Sequence, residues 1–213
     1  MNYANTTKQQ GNLKFKNPVL GLSQDFNDGN ILGLIVNNTP GKTMLFKCIC
    51  GYLVPTSNII YFDYKNVLNS HDIGLVAETT GFLPNADSMN YLKLLSSLKK
   101  KFGDLDMKDA IRQADFDMIV KKYTGLYSLD MCEQLKVAQE IVENHSLLIL
   151  NEPFSGLNQQ GISDMRGLIK ELRGIGKTVL LATQNTVHMD DICDTVCVME
   201  TGKLVLIRSF LIQ

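Results

Sequence analysis

The sequence predicts an α/β fold: a mostly parallel sheet flanked by helices, with a small antiparallel β part near the N-terminus and a helical block inserted between strands. Three observations predict it. Short apolar runs at Ile31 to Val36, Ile73 to Val76, Leu147 to Leu150 and Thr178 to Ala182 alternate with segments of helical periodicity, the pattern that builds parallel sheets. Those runs break into polar strand ends, at Asn37 to Gly41, Glu78, Asn151-Glu152 and Gln184. The first of them, inside LGLIVNNTPGKTMLF (32–46), leads to Gly41-Lys42-Thr43, the order of a strand that feeds a phosphate-cradling loop and then a helix.

At 213 residues the chain is expected to form one domain over 1–213, long enough to bury a sizeable core. Its formal net charge of -1 argues against a dedicated nucleic-acid surface, which shows as a basic balance or stripe. The N-terminus MNYANTTKQQ lacks the apolar core of a signal peptide, and no apolar run reaches bilayer-spanning length, so a cytoplasmic location is expected. Five cysteines, Cys48, Cys50, Cys132, Cys193 and Cys197, are odd in number and mostly embedded in apolar stretches. They read as small buried hydrophobes in a reducing compartment, and their spacing gives them no metal site.

Leu13, Phe15, Val19 and Leu22 alternate around Asn17-Pro18, which predicts two short antiparallel strands. Asp28-Gly29 is a turn signal ahead of the Ile31 to Val36 strand. A buried helix is expected from Lys42 to Tyr52, then a β-rich run at Asn58 to Phe62 and the Ile73 to Val76 strand. Residues 88–144 carry almost no strand signal. Tyr91, Leu94, Leu95 and Leu98 recur at helical spacing, Lys99 to Lys101 suit a solvated helix end, and helical periodicity returns from Met107 to Tyr123. After the Leu147 strand, a helix with Ile162, Met165, Leu168, Ile169 and Leu172 on one face is expected to stop at Gly174. Val196 to Met199 and Leu204 to Ile207, around Thr201-Gly202, predict a closing hairpin.

In an open parallel sheet, ligands gather beyond the carboxyl ends of the strands, so the four polar strand ends converge if their strands are parallel neighbours. Their order along the chain, together with Tyr127-Ser128-Leu129-Asp130-Met131, the following helix, LLILNEP and Ser155-Gly156-Leu157-Asn158, resembles the nucleotide-binding domain of ABC transporters over nearly the whole length. That resemblance implies a P-loop NTPase fold whose inserted helical subdomain spans roughly 88–144.

The resemblance further implies ATP with Mg²⁺ as cofactors. Asn38, Thr39, Gly41, Lys42, Thr43 and Met44 then form the phosphate loop, and Phe15 is the candidate to stack on adenine, core packing being its other reading. Thr43, Glu78 and Asn151 are the candidate metal side chains, and Glu152 and Gln184 the candidate catalytic ones. Ser128, Asp130 and Asn158 fall at the signature motif and D-loop, where two ATP-binding subunits meet as a homo- or heterodimer. The implied partner is a transmembrane permease subunit, with Phe82 and Leu83 as candidate contacts, which would hold the chain peripherally at the inner face of the cell membrane. Glu78 followed by Thr-Thr-Gly-Phe-Leu-Pro is most similar to exporters of the bacitracin and lantibiotic resistance type.

The chain also departs from the family's pattern. Val36 and Thr39 replace glycines, Pro40 removes one N–H, Asn151 replaces an aspartate, Gln184 a histidine and Asp130 a glycine. These changes imply an ATPase of low activity, or a non-hydrolysing regulatory subunit paired with a competent partner. Asp130 and Glu133 also match a helix capping box, a role that needs no nucleotide.

Overall fold

The structure is a computed structural model that describes residues 13–16, 23–25, 29–36, 40–54, 61–62, 65–66, 72–76, 81–99, 122–200 and 203–209. Two sheets are formed. Near the N-terminus β1 (Leu13–Lys16) pairs antiparallel with β2 (Ser23–Asp25) and with β4 (Tyr61–Phe62), which in turn pairs with β5 (Lys65–Asn66). The antiparallel pair expected here is present, with its second strand at Ser23–Asp25; Val19, Leu22 and Asn58 lie outside the described residues.

The main sheet is built from β3 (Ile31–Val36), β6 (Ile73–Val76), β7 (Leu147–Asn151), β8 (Thr178–Thr183), β9 (Thr195–Glu200) and β10 (Lys203–Ser209), in the order β10-β9-β3-β8-β7-β6. All neighbours are parallel except β9 and β10, the expected hairpin. Both faces of this sheet are covered, which is why its central strands read as continuous apolar runs. Leu148, Leu150, Val179 and Leu181 point into one apolar cluster, and Leu147, Ile149, Leu180 and Ala182 into the other.

The second of these clusters is closed by Leu45, Phe46 and Ile49 of α1 (Pro40–Ile49). The first is closed by Leu92 of α2 (Ser88–Lys99), Leu135 and Ala138 of α3 (Leu129–Val142), and Met165, Leu168, Ile169 and Leu172 of α4 (Gln159–Gly174). The four aliphatic residues of β7 are fully buried, each contributing about 1.5–3 kcal/mol on transfer from water. β7 is therefore firmly anchored just before the polar residues at its end. Asp194 pins the start of β3, accepting the Ile31 N–H at 2.7 Å and pairing with Arg173 Nη2 at 3.0 Å.

Helix ends explain three differences from the sequence expectations. α4 does end at Gly174, but the left-handed residue that stops it is Gly176 (φ 83°). The Lys177 N–H reaches Leu172 O and the Gly176 N–H reaches Arg173 O, satisfying carbonyls that a helix end leaves open. The same pattern closes α1 at Gly51 (φ 73°), so that helix stops before Tyr52. At the start of α3 the expected Asp130–Glu133 capping pair is replaced. Ser128 is the N-cap, its Oγ accepting the Met131 N–H at 3.3 Å, while Glu133 pairs with Lys136 at 2.5 Å. The described part of 88–144 consists of α2, the short turn Thr124–Leu126 and α3. The Met107 to Tyr123 helix lies outside the described residues up to 121.

Candidate functional site

Because β3, β8 and β7 are adjacent and parallel, their carboxyl ends open on one side, where α1 begins. A helix N-terminus there presents unpaired N–H groups and the positive end of its dipole. Lys42 lies in the first turn of α1 and is 6 % exposed. Its Nζ sits 3.3 Å from Glu152 Oε1, with the two side chains 7 % and 10 % exposed.

Glu152 follows directly on β7 with φ 56°, a left-handed backbone that a non-glycine residue adopts at a cost of roughly 1–3 kcal/mol. Hydrogen bonds hold it there. Its N–H donates to Ala182 O of β8 at 2.8 Å, and its carbonyl accepts the Ser155 N–H at 3.0 Å. The carboxylate also accepts the Gln184 N–H at 3.4 Å, so α1, β7 and β8 all meet at this one group. Its low exposure and its lysine partner set Glu152 apart from a solvated strand-end acid.

Asn151 ends β7, and its Oδ1 is buried without a hydrogen-bond partner among the described residues. An acceptor left open in this way costs about 1–3 kcal/mol, and it fits an oxygen that serves a hydrated cation. Thr43 and Met44 are exposed in the first turn of α1, beside the helical Gly41. Gln184 is exposed at the end of β8. Asn38, Thr39 and Glu78 lie outside the described residues, and of Phe15 only its strand position, opposite Gln24, is described.

A second group of expected residues comes together a short way along. Asn158 is the N-cap of α4: its Oδ1 accepts the Gly161 N–H at 2.9 Å, and its Nδ2 donates to Asp130 Oδ2 at 2.9 Å. The close approach depends on glycines. A Cβ at Gly161 would lie 2.6 Å from Asp130 Oδ1, and one at Gly156 2.5 Å from Leu129 Cδ2. Asp130 is thus tied to the start of α4 within the same chain.

Two features were not found from sequence. Asn185 caps the turn after β8, its Oδ1 accepting the Val187 N–H at 3.1 Å and its own N–H donating to Thr183 Oγ1 at 3.1 Å. An asparagine ahead of a turn was the available signal. The Phe154 ring lies 4.7 Å from that of His188, a contact between distant segments that no local pattern carries. Burial, and then the Arg166 guanidinium, hold His188 below the usual histidine value.

The parallel sheet, the buried lysine at a helix N-terminus and the acid opposite it define a P-loop nucleotide-binding domain. Residues 19–155 match the family model described as ABC transporter, and the chain belongs to that family as an ATP-binding subunit. It is 29 % identical over 187 residues to an uncharacterised ABC transporter ATP-binding protein of Bacillus subtilis, YybJ, covering 86 % of each chain. To the bacitracin transport ATP-binding protein BcrA of Enterococcus faecalis it is 28 % identical over 207 residues, covering 94 % of this chain and 66 % of that protein. Among solved structures, cbiO1 of Clostridium perfringens, described as part of the ABC transporter complex cbiONQ, superposes with a TM-score of 0.78. At 24 % identity, over 92 % of this chain and 86 % of that one, it supports the fold.

Proposed function

We propose that the chain binds ATP with Mg²⁺ and uses binding and slow hydrolysis to drive a separate transmembrane permease in exporting a peptide or amphiphile. The observation that carries this reading is the Lys42–Glu152 pair at the joined ends of α1, β7 and β8. In it the α1 N-terminus and Lys42 counter phosphate charge, and the Thr43 hydroxyl and Asn151 Oδ1 serve the metal. Mg²⁺ would neutralise charge developing on the transferred phosphoryl group.

Glu152 is the candidate base for water, held in place by its backbone bonds to Ala182 and Ser155 and by the Gln184 N–H. The exchange of aspartate for Asn151 and of histidine for Gln184 removes one negative charge and one titratable ring from the set, which is the reason for slow turnover. Among the described residues no helix is long and apolar enough to cross a membrane, so the reading assigns the membrane step to a partner at the inner face of the cell membrane. The name of the similar BcrA protein supports peptide export or resistance as the transport role, and a second ATP-binding subunit, identical or not, completes the assembly.

Calorimetry with MgATP tests the reading. Wild type is expected to bind at micromolar to millimolar concentration, with Lys42→Ala at least tenfold weaker, and Glu152→Gln is expected to abolish turnover while retaining binding. Absence of MgATP binding by the folded wild type would overturn it.

A further inference from the structure

We propose that Glu140, Glu143 and His145 form a binding site for a divalent transition metal of the zinc class, at the end of α3 where the chain enters β7. This is the amino end of β7, opposite the end that carries Asn151 and Glu152, and the inference stands apart from the nucleotide site. Each residue offers a ligand atom, and all three atoms lie within 4.8 Å of one another.

Charge is the first argument. Two carboxylates occupy the last turn of α3 and its C-cap, where the helix dipole is itself negative, and that last turn contains no basic residue. Their side chains are 8 % exposed, so water screens them poorly. One imidazole serves both: Nδ1 is 2.9 Å from Glu140 Oε2, and Nε2 is 3.5 Å from Glu143 Oε2. A divalent cation carries the charge to balance two carboxylates held this close together.

Shape is the second argument. β6 approaches this cluster through Gly74, where a Cβ would lie 2.0 Å from Glu140 Oε2 and 2.6 Å from His145 Nδ1. The missing side chain leaves the room that Glu140 and His145 occupy. Zinc bonds of about 2.0–2.2 Å set tetrahedral ligands roughly 3.4 Å apart, so closing the set takes a contraction of up to about 1.4 Å, with one ring nitrogen as the ligand and the carboxylate beside the other turning to the same ion. Outer support is in place as well. Tyr91 Oη donates to Gln139 Oε1 at 2.9 Å, and Gln139 Nε2 donates to Glu143 Oε1 at 3.3 Å, the kind of contact that orients a ligating carboxylate.

Donor chemistry selects the metal. One imidazole nitrogen with two carboxylate oxygens suits zinc, leaving a fourth position for water, whereas Mg²⁺ and Ca²⁺ favour sets made of oxygen alone. The bound ion would clip the end of α3 to the start of β7.

The test uses the whole chain, stripped with chelator and titrated calorimetrically with Zn²⁺ alone, with Mg²⁺ in a parallel experiment and no nucleotide present. The expected result is one Zn²⁺ per chain, at least tenfold tighter than Mg²⁺, with a rise in the thermal unfolding midpoint. His145→Ala and Glu140→Gln are each expected to weaken Zn²⁺ binding at least tenfold, and Ser163→Ala, on the exposed face of α4, to leave it unchanged. Glu143→Gln, at the C-cap, serves as a second carboxylate variant, and melting curves confirm that each variant is folded. No Zn²⁺ uptake by wild type, uptake that survives in both His145→Ala and Glu143→Gln, or equal affinity for Mg²⁺ would overturn the proposal.

Discussion

Lys42 Nζ stands 3.3 Å from Glu152 Oε1, and both side chains are almost withdrawn from solvent. The cation at the start of α1 is therefore balanced by the acid at the end of β7. Removing one member of a nearly buried pair leaves the other charge uncompensated, at a cost on the order of 3–5 kcal/mol. Lys42→Met and Glu152→Gln are each expected to destabilise by that order, while the two combined recover most of the loss. Urea unfolding of the three variants checks this. Additive single losses in the double variant would show that the two groups do not act as a pair.

Asn158 carries two tasks, capping α4 and reaching Asp130. Asn158→Ala is expected to lose about 1–2 kcal/mol, since N-cap removal alone costs about 1 kcal/mol. Asp130→Ala, which removes a bond exposed to solvent, is expected to cost about 0.5–1 kcal/mol. Gly161→Ala should mimic Asp130→Ala, because its Cβ would come within 2.6 Å of the carboxylate. Denaturation midpoints of these variants separate the two tasks.

The mostly parallel sheet and the meeting of Lys42, Glu152, Asn151 and Gln184 were legible because both rest on patterns carried along the chain. Continuous apolar runs mark doubly covered strands, and parallel strands bring their carboxyl ends together. The start of α3 was not legible. Ser128 and Asp130 are both good cap residues, and Glu133 completes a capping pattern for the second. The choice follows the partners each acid finds: Asn158, on another helix, engages Asp130, and Lys136, one turn further along α3, engages Glu133. The Glu140–His145 pair was hidden for a similar reason: its room comes from Gly74, on a strand far away in the sequence.

Two glycines at the end of α4 give opposite expectations. Gly176 holds φ 83°, so Gly176→Ala forces a side chain into the left-handed region and is expected to cost about 1–2 kcal/mol. Gly174 is the last helical residue, and a Cβ there meets nothing within 4 Å. Gly174→Ala should stabilise by about 0.5–1 kcal/mol through better helix propensity and a less flexible unfolded chain. Thermal unfolding of both variants tests which glycine stops the helix. A loss at Gly174 and none at Gly176 would reverse the assignment.

Burial pushes the Cys50 and Cys193 thiols up to about 12 and the Cys197 thiol up to about 11, from an ordinary 9.0. Burial is the larger cause throughout, with Glu140 adding to it at Cys50 and Asp194 at Cys193. The folded chain therefore keeps these thiols neutral at pH values where the unfolded chain ionises them. A group raised on folding contributes stability that is fully present below its unfolded value and lost as pH rises through its folded one. Stability is expected to fall as pH rises from about 9 towards 12, within the window these shifts span. Urea midpoints measured between pH 8 and 11 check the direction, and Cys197→Ala should flatten the slope in proportion to the thiol it removes. Iodoacetamide offers an independent reading at pH 8: the buried Cys193 and Cys197 should react only after unfolding, whereas the half-buried Cys48 and Cys132 should react in the folded chain.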